Sequence, residues 1–222
     1  MRESQSSTLL SDKQRQRIQL RHKHSIERFG YSAQALLWSS KEVQFKRFEV
    51  LSQVLAEGGD TVSVLDVGCG FADLYDYLLA QGFAIDYQGI DLSADMVQSA
   101  KFQHKTIKVE QGDLFDFNPA EQSYDYILLS GALNEVVEST TEQETESSGE
   151  YAKAVIKRMY QSCRKAVAFN LLDARHEWIR SRVDLQSFKP EEIVEYCRIF
   201  ADKVTWQDDY LDNDFTVFLY KD

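Results

Sequence analysis

The chain of 222 residues has no continuous apolar run of membrane length, which excludes a spanning α-helix. Its opening, Met1-Arg2-Glu3-Ser4-Gln5-Ser6-Ser7, lacks the apolar core of a secretory signal. Cysteine is scarce: Cys69, Cys163 and Cys197 are scattered, odd in number and without metal-ligand spacing. Free thiols in a reducing cytoplasm are therefore expected, with no metal site. Positive charge is in deficit as well. A net charge of −11 repels phosphate backbones and disfavours a nucleic-acid partner. There is no internal repeat and no low-complexity tract. Charge is unevenly placed, with Lys13, Arg15, Arg17, Arg21, Lys23 and Arg28 early and Glu135, Glu138, Glu142, Glu144, Glu146 and Glu150 later. Both clusters read as solvated surface.

What remains is ample core material, 43% hydrophobic with 13 Phe and 11 Tyr. Residues 1–10 read as disordered. Helical spacing then covers Asp12 to Phe29, through Ile18 and Ile26, and Gly30 ends it. A second helix covers Lys41 to Ala56, and Gly58-Gly59-Asp60 breaks the chain before the first strand. From there strands and helices alternate. The strands are Val62–Val67, Ile85–Ile90, Ile107–Glu110, Tyr124–Leu129 and Ala166–Asn170, with helices from Phe71, Ser93, Glu150 and Pro190. The segment Gly131 to Gly149 reads as a polar loop. Lys203–Trp206 and Phe215–Tyr220 are close enough to pair as an antiparallel hairpin. Strand–helix alternation implies a parallel sheet with right-handed crossovers.

The densest signal is Val62-Ser63-Val64-Leu65-Asp66-Val67-Gly68-Cys69-Gly70-Phe71-Ala72-Asp73, a buried strand breaking into a glycine turn that opens a helix. Nucleotide-like ligands bind at such turns because glycine lets the backbone approach them. Two acidic strand ends follow, Asp91 and Asp113. Either alone is an ordinary turn residue; two at regular distance after a glycine turn point to a nucleoside. The dinucleotide fingerprint fails here, since Asp73 stands where its third glycine belongs and would repel a pyrophosphate. A ligand without phosphates is expected.

These features resemble the class I S-adenosylmethionine-dependent methyltransferases, whose first motif is matched by Leu65-Asp66-Val67-Gly68-Cys69-Gly70-Phe71-Ala72. Ser32–Trp38, Gln44-Phe45-Lys46-Arg47, Ala168–Asn170 and Asp214–Tyr220 further resemble a small bacterial group within that superfamily. The resemblance implies an α/β, Rossmann-like, seven-stranded, mostly parallel sheet with a terminal antiparallel hairpin and helices on both faces. A helical cap (1–60) precedes the methyltransferase domain (61–222). It implies S-adenosyl-L-methionine as cofactor. Asp66, Gly68, Cys69 and Gly70 then form the turn beside its methionine part. Asp91 takes the ribose hydroxyls, with Leu92 beside the adenine. Asp113 takes the adenine amino group, with Leu114 on the ring. Ser130 and Gly131 line the methyl-donor end. Independently of the resemblance, Arg47 is a candidate to pair with the cofactor carboxylate bidentately, its alternative being a surface ion pair.

The expected acceptor is a small molecule with an oxygen or nitrogen nucleophile. The stretch after the fourth strand, Ser130-Gly131-Ala132-Leu133-Asn134, lacks the Asn/Asp-Pro-Pro-aromatic pattern of exocyclic-nitrogen methylation, and no cysteine nucleophile lies near it. Asn134 is a candidate for orienting the acceptor, and His176 for a general base. His22 and His24, on the first helix, are within reach of the cleft. Tyr31 and Trp38 are candidate pocket walls. The alternatives are a non-catalytic module that binds the same cofactor and a nicotinamide oxidoreductase.

Overall fold

The computed structural model describes residues 9–55, 59–135 and 149–222. Two helices, α1 (Asp12–Phe29) and α2 (Lys41–Ser52), precede the first strand. Then follow β1 (Val62–Val67), α3 (Asp73–Ala80), β2 (Ile85–Asp91), α4 (Ala94–Gln103), β3 (Lys108–Gln111), α5 (Leu114–Phe117) and β4 (Tyr124–Ser130). The chain continues through α6 (Glu150–Ser162), β5 (Cys163–Asp173), α7 (Glu177–Arg180), β6 (Ser187–Phe188) and α8 (Pro190–Arg198). It closes on β7 (Lys203–Gln207) and β8 (Asp214–Tyr220).

Period-two alternation builds both layers from one sheet. In β4, Ile127 and Leu129 join a core with Val155, Ile156 and Met159 of α6 and Ile193 and Val194 of α8. Their neighbours Tyr126 and Leu128 face the other way, against Phe48 and Leu51 of α2 and Leu74 and Leu78 of α3. Helix α4 packs on that second face through Val97 and Ala100. A central strand covered on both sides is apolar where it is buried, as β4 is from Tyr126 to Leu129.

The strand order is β3-β2-β1-β4-β5-β8-β7. The first five strands run parallel, and β8 is antiparallel to both β5 and β7. The seven expected strands are thus in place, mostly parallel, with the terminal hairpin. An eighth, β6, pairs with Leu172 and Asp173 of β5, beyond the point where β4 stops. Two residues carry no readable period, so the sequence does not announce it.

Other boundaries move for local reasons. Helix α3 begins at Asp73 rather than Phe71, because Ala72 adopts a left-handed φ of 66° and stays in the turn. Strand β5 runs 163–173 rather than 166–170. Helix α2 ends at Ser52, short of the expected Ala56, which with Gly58 lies outside the described residues. Leu10, expected in a disordered tail, is buried with Ile18. Most of the acidic segment, 136–148, lies outside the described residues. Among the described residues, no helix is long and apolar enough to cross a membrane.

Candidate active site

The strand order reverses between β1 and β4, and at the carboxyl edge there the chain encloses a cavity of about 580 Å³. Open α/β sheets bind ligands at this switch point. β1 breaks at Gly68, whose φ is 73°, and the amides of Gly68 and Cys69 both donate to the Ile90 carbonyl at 2.8 and 3.0 Å. This pins the turn to the end of β2. A Cβ on Gly68 would lie 2.3 Å from that of Ala132, so the turn has no space for one. Asp91 completes the arrangement. Its Oδ2 accepts from the Gly70 amide at 2.9 Å and its Oδ1 from the Ser93 amide at 2.8 Å. Burial raises its pKa, while His22 nearby and those two amides pull it back. Deeper in the floor, Asp66 accepts from the Tyr87 hydroxyl at 2.6 Å. Burial lifts Asp66 to about 7, with Asp91 and Asp73 adding repulsion.

The far acid, Asp113, caps α5: its Oδ1 accepts from the amides of Phe115 and Asp116 at 2.8 and 2.9 Å. Its Oδ2 receives Nη2 of Arg15 at 2.6 Å, while Nη1 of Arg15 pairs with Asp116. Beyond β4, Asn170 fixes the turn. Its Oδ1 accepts from the Gly131 amide at 2.9 Å and its Nδ2 donates to Ser130 Oγ at 3.2 Å. Asn134 lines the same cavity, and its Oδ1 is buried with no hydrogen-bond partner among the described residues.

The N-terminal segment forms the roof. Leu36 lies against Gly70 and Trp38 against Gly131, each where a Cβ would sit. Arg47 stacks over Trp38 at 4.5 Å and its Nε pairs with the buried carboxylate of Asp214. The cavity is also lined by apolar side chains that include Val43, Phe48, Leu172, Trp178, Leu185 and Leu211, together with the charged Arg21, Glu135 and Arg182.

Of the residues singled out in the sequence, Arg47, Asp66, Gly68, Gly70, Asp91 and Leu92 line this one cavity. So do Asp113, Leu114, Ser130, Gly131 and Asn134. Cys69 does not; its thiol turns away to pack on Gly89. His176 does not either, since it lies at the N-terminus of α7 and outside the lining, so the general-base reading loses its geometry. Tyr31 is 70% exposed and meets Phe71 edge-on instead of walling the pocket. Arg47 is not a free guanidinium, because Asp214 takes its Nε. Of the two histidines, His22 lines the cavity and His24 is exposed. The sequence reading missed Arg15, Tyr87 and Asn170. A polar side chain ending the apolar run Ala166–Phe169 was the available signal for Asn170.

The family model described as a methyltransferase domain matches residues 64–158. A Mycobacterium tuberculosis protein provisionally designated a methyltransferase is 29% identical over 170 residues, covering 75% of this chain and 98% of its own. Among solved structures, magnesium protoporphyrin IX methyltransferase from Synechocystis PCC 6803, with bound S-adenosylhomocysteine, superposes with a TM-score of 0.62. It is 15% identical and covers 81% of this chain and 84% of that one. DhpI, in complex with the same ligand, gives 0.60 at 15% identity over 92% and 93%.

Proposed function

Because the chain belongs to the class I S-adenosylmethionine-dependent methyltransferase superfamily, we propose that it methylates an oxygen or nitrogen nucleophile on a small molecule. The carrying observation is Asp91: a buried carboxylate at the end of β2, held by the amides of Gly70 and Ser93, open to the cavity. A carboxylate is acceptor-only and keeps lone pairs beyond those two amides, which suits a pair of ribose hydroxyls.

The residues fit the cofactor. The turn at Gly68 and Gly70 has no space for side chains, and the neighbouring acids suit a ligand without phosphates. When bound, S-adenosylmethionine supplies an activated methyl group on a good sulfonium leaving group. The protein's work is then chiefly to position the acceptor and exclude water. Asp91 would hold the ribose, and Leu92, Asp113 and Leu114 the adenine. Ser130 and Gly131, fixed by Asn170, shape the donor end. The terminal nitrogens of Arg47 remain for the cofactor carboxylate. Asn134 offers its unpartnered Oδ1 to an N–H or O–H of the acceptor. Lining by Val43, Phe48, Leu172, Trp178, Leu185 and Leu211 in addition to the cofactor residues supports catalysis over cofactor binding alone.

Calorimetry of the wild type and Asp91→Ala with S-adenosylhomocysteine and NAD tests the reading. We expect S-adenosylhomocysteine, and not NAD, to bind, with at least tenfold weaker affinity in the variant, roughly the loss of one charge-assisted pair. Unchanged affinity in Asp91→Ala refutes the ribose assignment. A tritiated-methyl assay over metabolite pools tests the transfer; no labelled product from any pool would count against it.

A further inference from the structure

We propose that His22 is a second ribose-binding residue, supplied by the cap helix and acting with Asp91 on the bound nucleoside. The inference rests on the cofactor reading above.

Helix α1 lies along the acidic edge of the site. Ile18 and Leu10 form a small cluster on which Leu92, the residue after Asp91, packs, and Gln19 Nε2 donates to the Leu92 carbonyl at 3.1 Å. Residues three and four positions apart share a helix face, so His22 stands over the same place as Gln19 and Ile18. It lines the cavity, and its Nδ1 is buried without a hydrogen-bond partner among the described residues. Buried polar atoms are almost always paired in native proteins. A polar atom of a ligand is the missing partner.

The chemistry selects which atom. A ribose hydroxyl that donates to Asp91 keeps two lone pairs and can accept from Nδ1–H. The helix supports this placement from its other end. Arg15, two turns before His22 and about 10 Å away along the axis, holds Asp113, the acid the reading gives to the base. One helix thus runs from the base acid to the sugar acid.

Calorimetry on the full chain tests this with S-adenosylhomocysteine and its 2′-deoxy and 3′-deoxy forms. In His22→Ala we expect affinity for the parent compound to fall about five- to tenfold, the scale of one neutral hydrogen bond. His22→Asn, whose amide nitrogen lies near the Nδ1 position, should restore most of it. The penalty for deleting one of the two hydroxyls should be several-fold smaller in His22→Ala than in the wild type. His22→Phe, which keeps the ring's bulk without a nitrogen, should repeat that result and so separates packing from hydrogen bonding. Identical hydroxyl penalties in all proteins would overturn the role of His22 while leaving the cofactor reading intact. A wild type that binds neither the parent nor its analogues would overturn both.

Discussion

Arg15 donates from Nη2 to Asp113 Oδ2 across 2.6 Å, tying the cap helix to the acid that follows β3. Oδ1 of that acid is already committed to capping α5. On the proposed reading, an adenine amino group would share Oδ2 with Arg15 or displace it. The Arg15 side chain is 21% exposed and that of Asp113 6%. Losing Arg15 takes one charge-assisted hydrogen bond from a buried carboxylate, a cost of about 1–3 kcal/mol that Arg15→Ala should survive as a folded chain. We expect hydrogen exchange over Asp12–His22 to quicken while β1 and β4 keep their protection. Unchanged exchange in α1 would mean that Leu10 and Ile18 hold the helix alone.

The glycine turn gives a prediction with its own rescue. At Gly68, φ is 73° and an added Cβ would lie 2.3 Å from Ala132 Cβ, but 3.6 Å from Ala132 Cα. Gly68→Ala should abolish measurable S-adenosylhomocysteine binding. Adding Ala132→Gly removes the clashing atom and leaves only the left-handed strain, about 1 kcal/mol. Binding should then return to within roughly tenfold of the wild type. Failure of the double variant to recover would place the defect in the backbone rather than in the clash.

How far the site was legible in the sequence depended on whether a residue's partner was local. Strand β1, the glycine turn and the acids at 91 and 113 carry their own period and spacing, so both their fold and their place at one sheet edge could be read. Partners brought together by tertiary packing carry no such mark. Arg47 and Asp214 are 167 positions apart, and nothing around either predicts that one neutralises the other. Arg15 read as one of several solvated cations, because only the docking of α1 aims it at Asp113. Cys69 sat inside the motif yet turned away, since side-chain direction through a left-handed turn cannot be taken from spacing.

The Arg47–Asp214 pair should behave as a buried one. It fastens α2 to the first residue of β8, with Trp38 stacked on the guanidinium. Removing one member strands a buried charge, and such losses cost about 3–5 kcal/mol. Arg47→Met and Asp214→Leu should each lower stability on that scale in urea. The double variant, which buries no lone charge, should recover a large part of it. Additive losses in the double-mutant cycle would show that the two side chains are not coupled.

Asp66 supplies a prediction whose sign follows from its burial. Its carboxyl is held at about 7 in the folded chain against an ordinary 3.8. The folded state therefore binds the proton more tightly than the unfolded chain, and protonation favours folding. Asp66 costs its full share of stability above pH 7. That cost fades as pH falls toward 4, where both states are protonated. At about 1.4 kcal/mol per unit the whole range amounts to a few kcal/mol. Asp66→Asn keeps an oxygen for the Tyr87 hydroxyl and removes the titration. Asp91 is also raised by burial and sharpens the same trend, so the informative quantity is the difference between wild type and variant at each pH. We expect Asp66→Asn to melt higher than the wild type at pH 8. The gap should narrow steadily below pH 7 and close only near pH 4, where the unfolded chain takes the same proton. Parallel melting curves across that window would mean that Asp66 titrates like an exposed carboxylate, and that the cavity floor is wetter than its packing indicates.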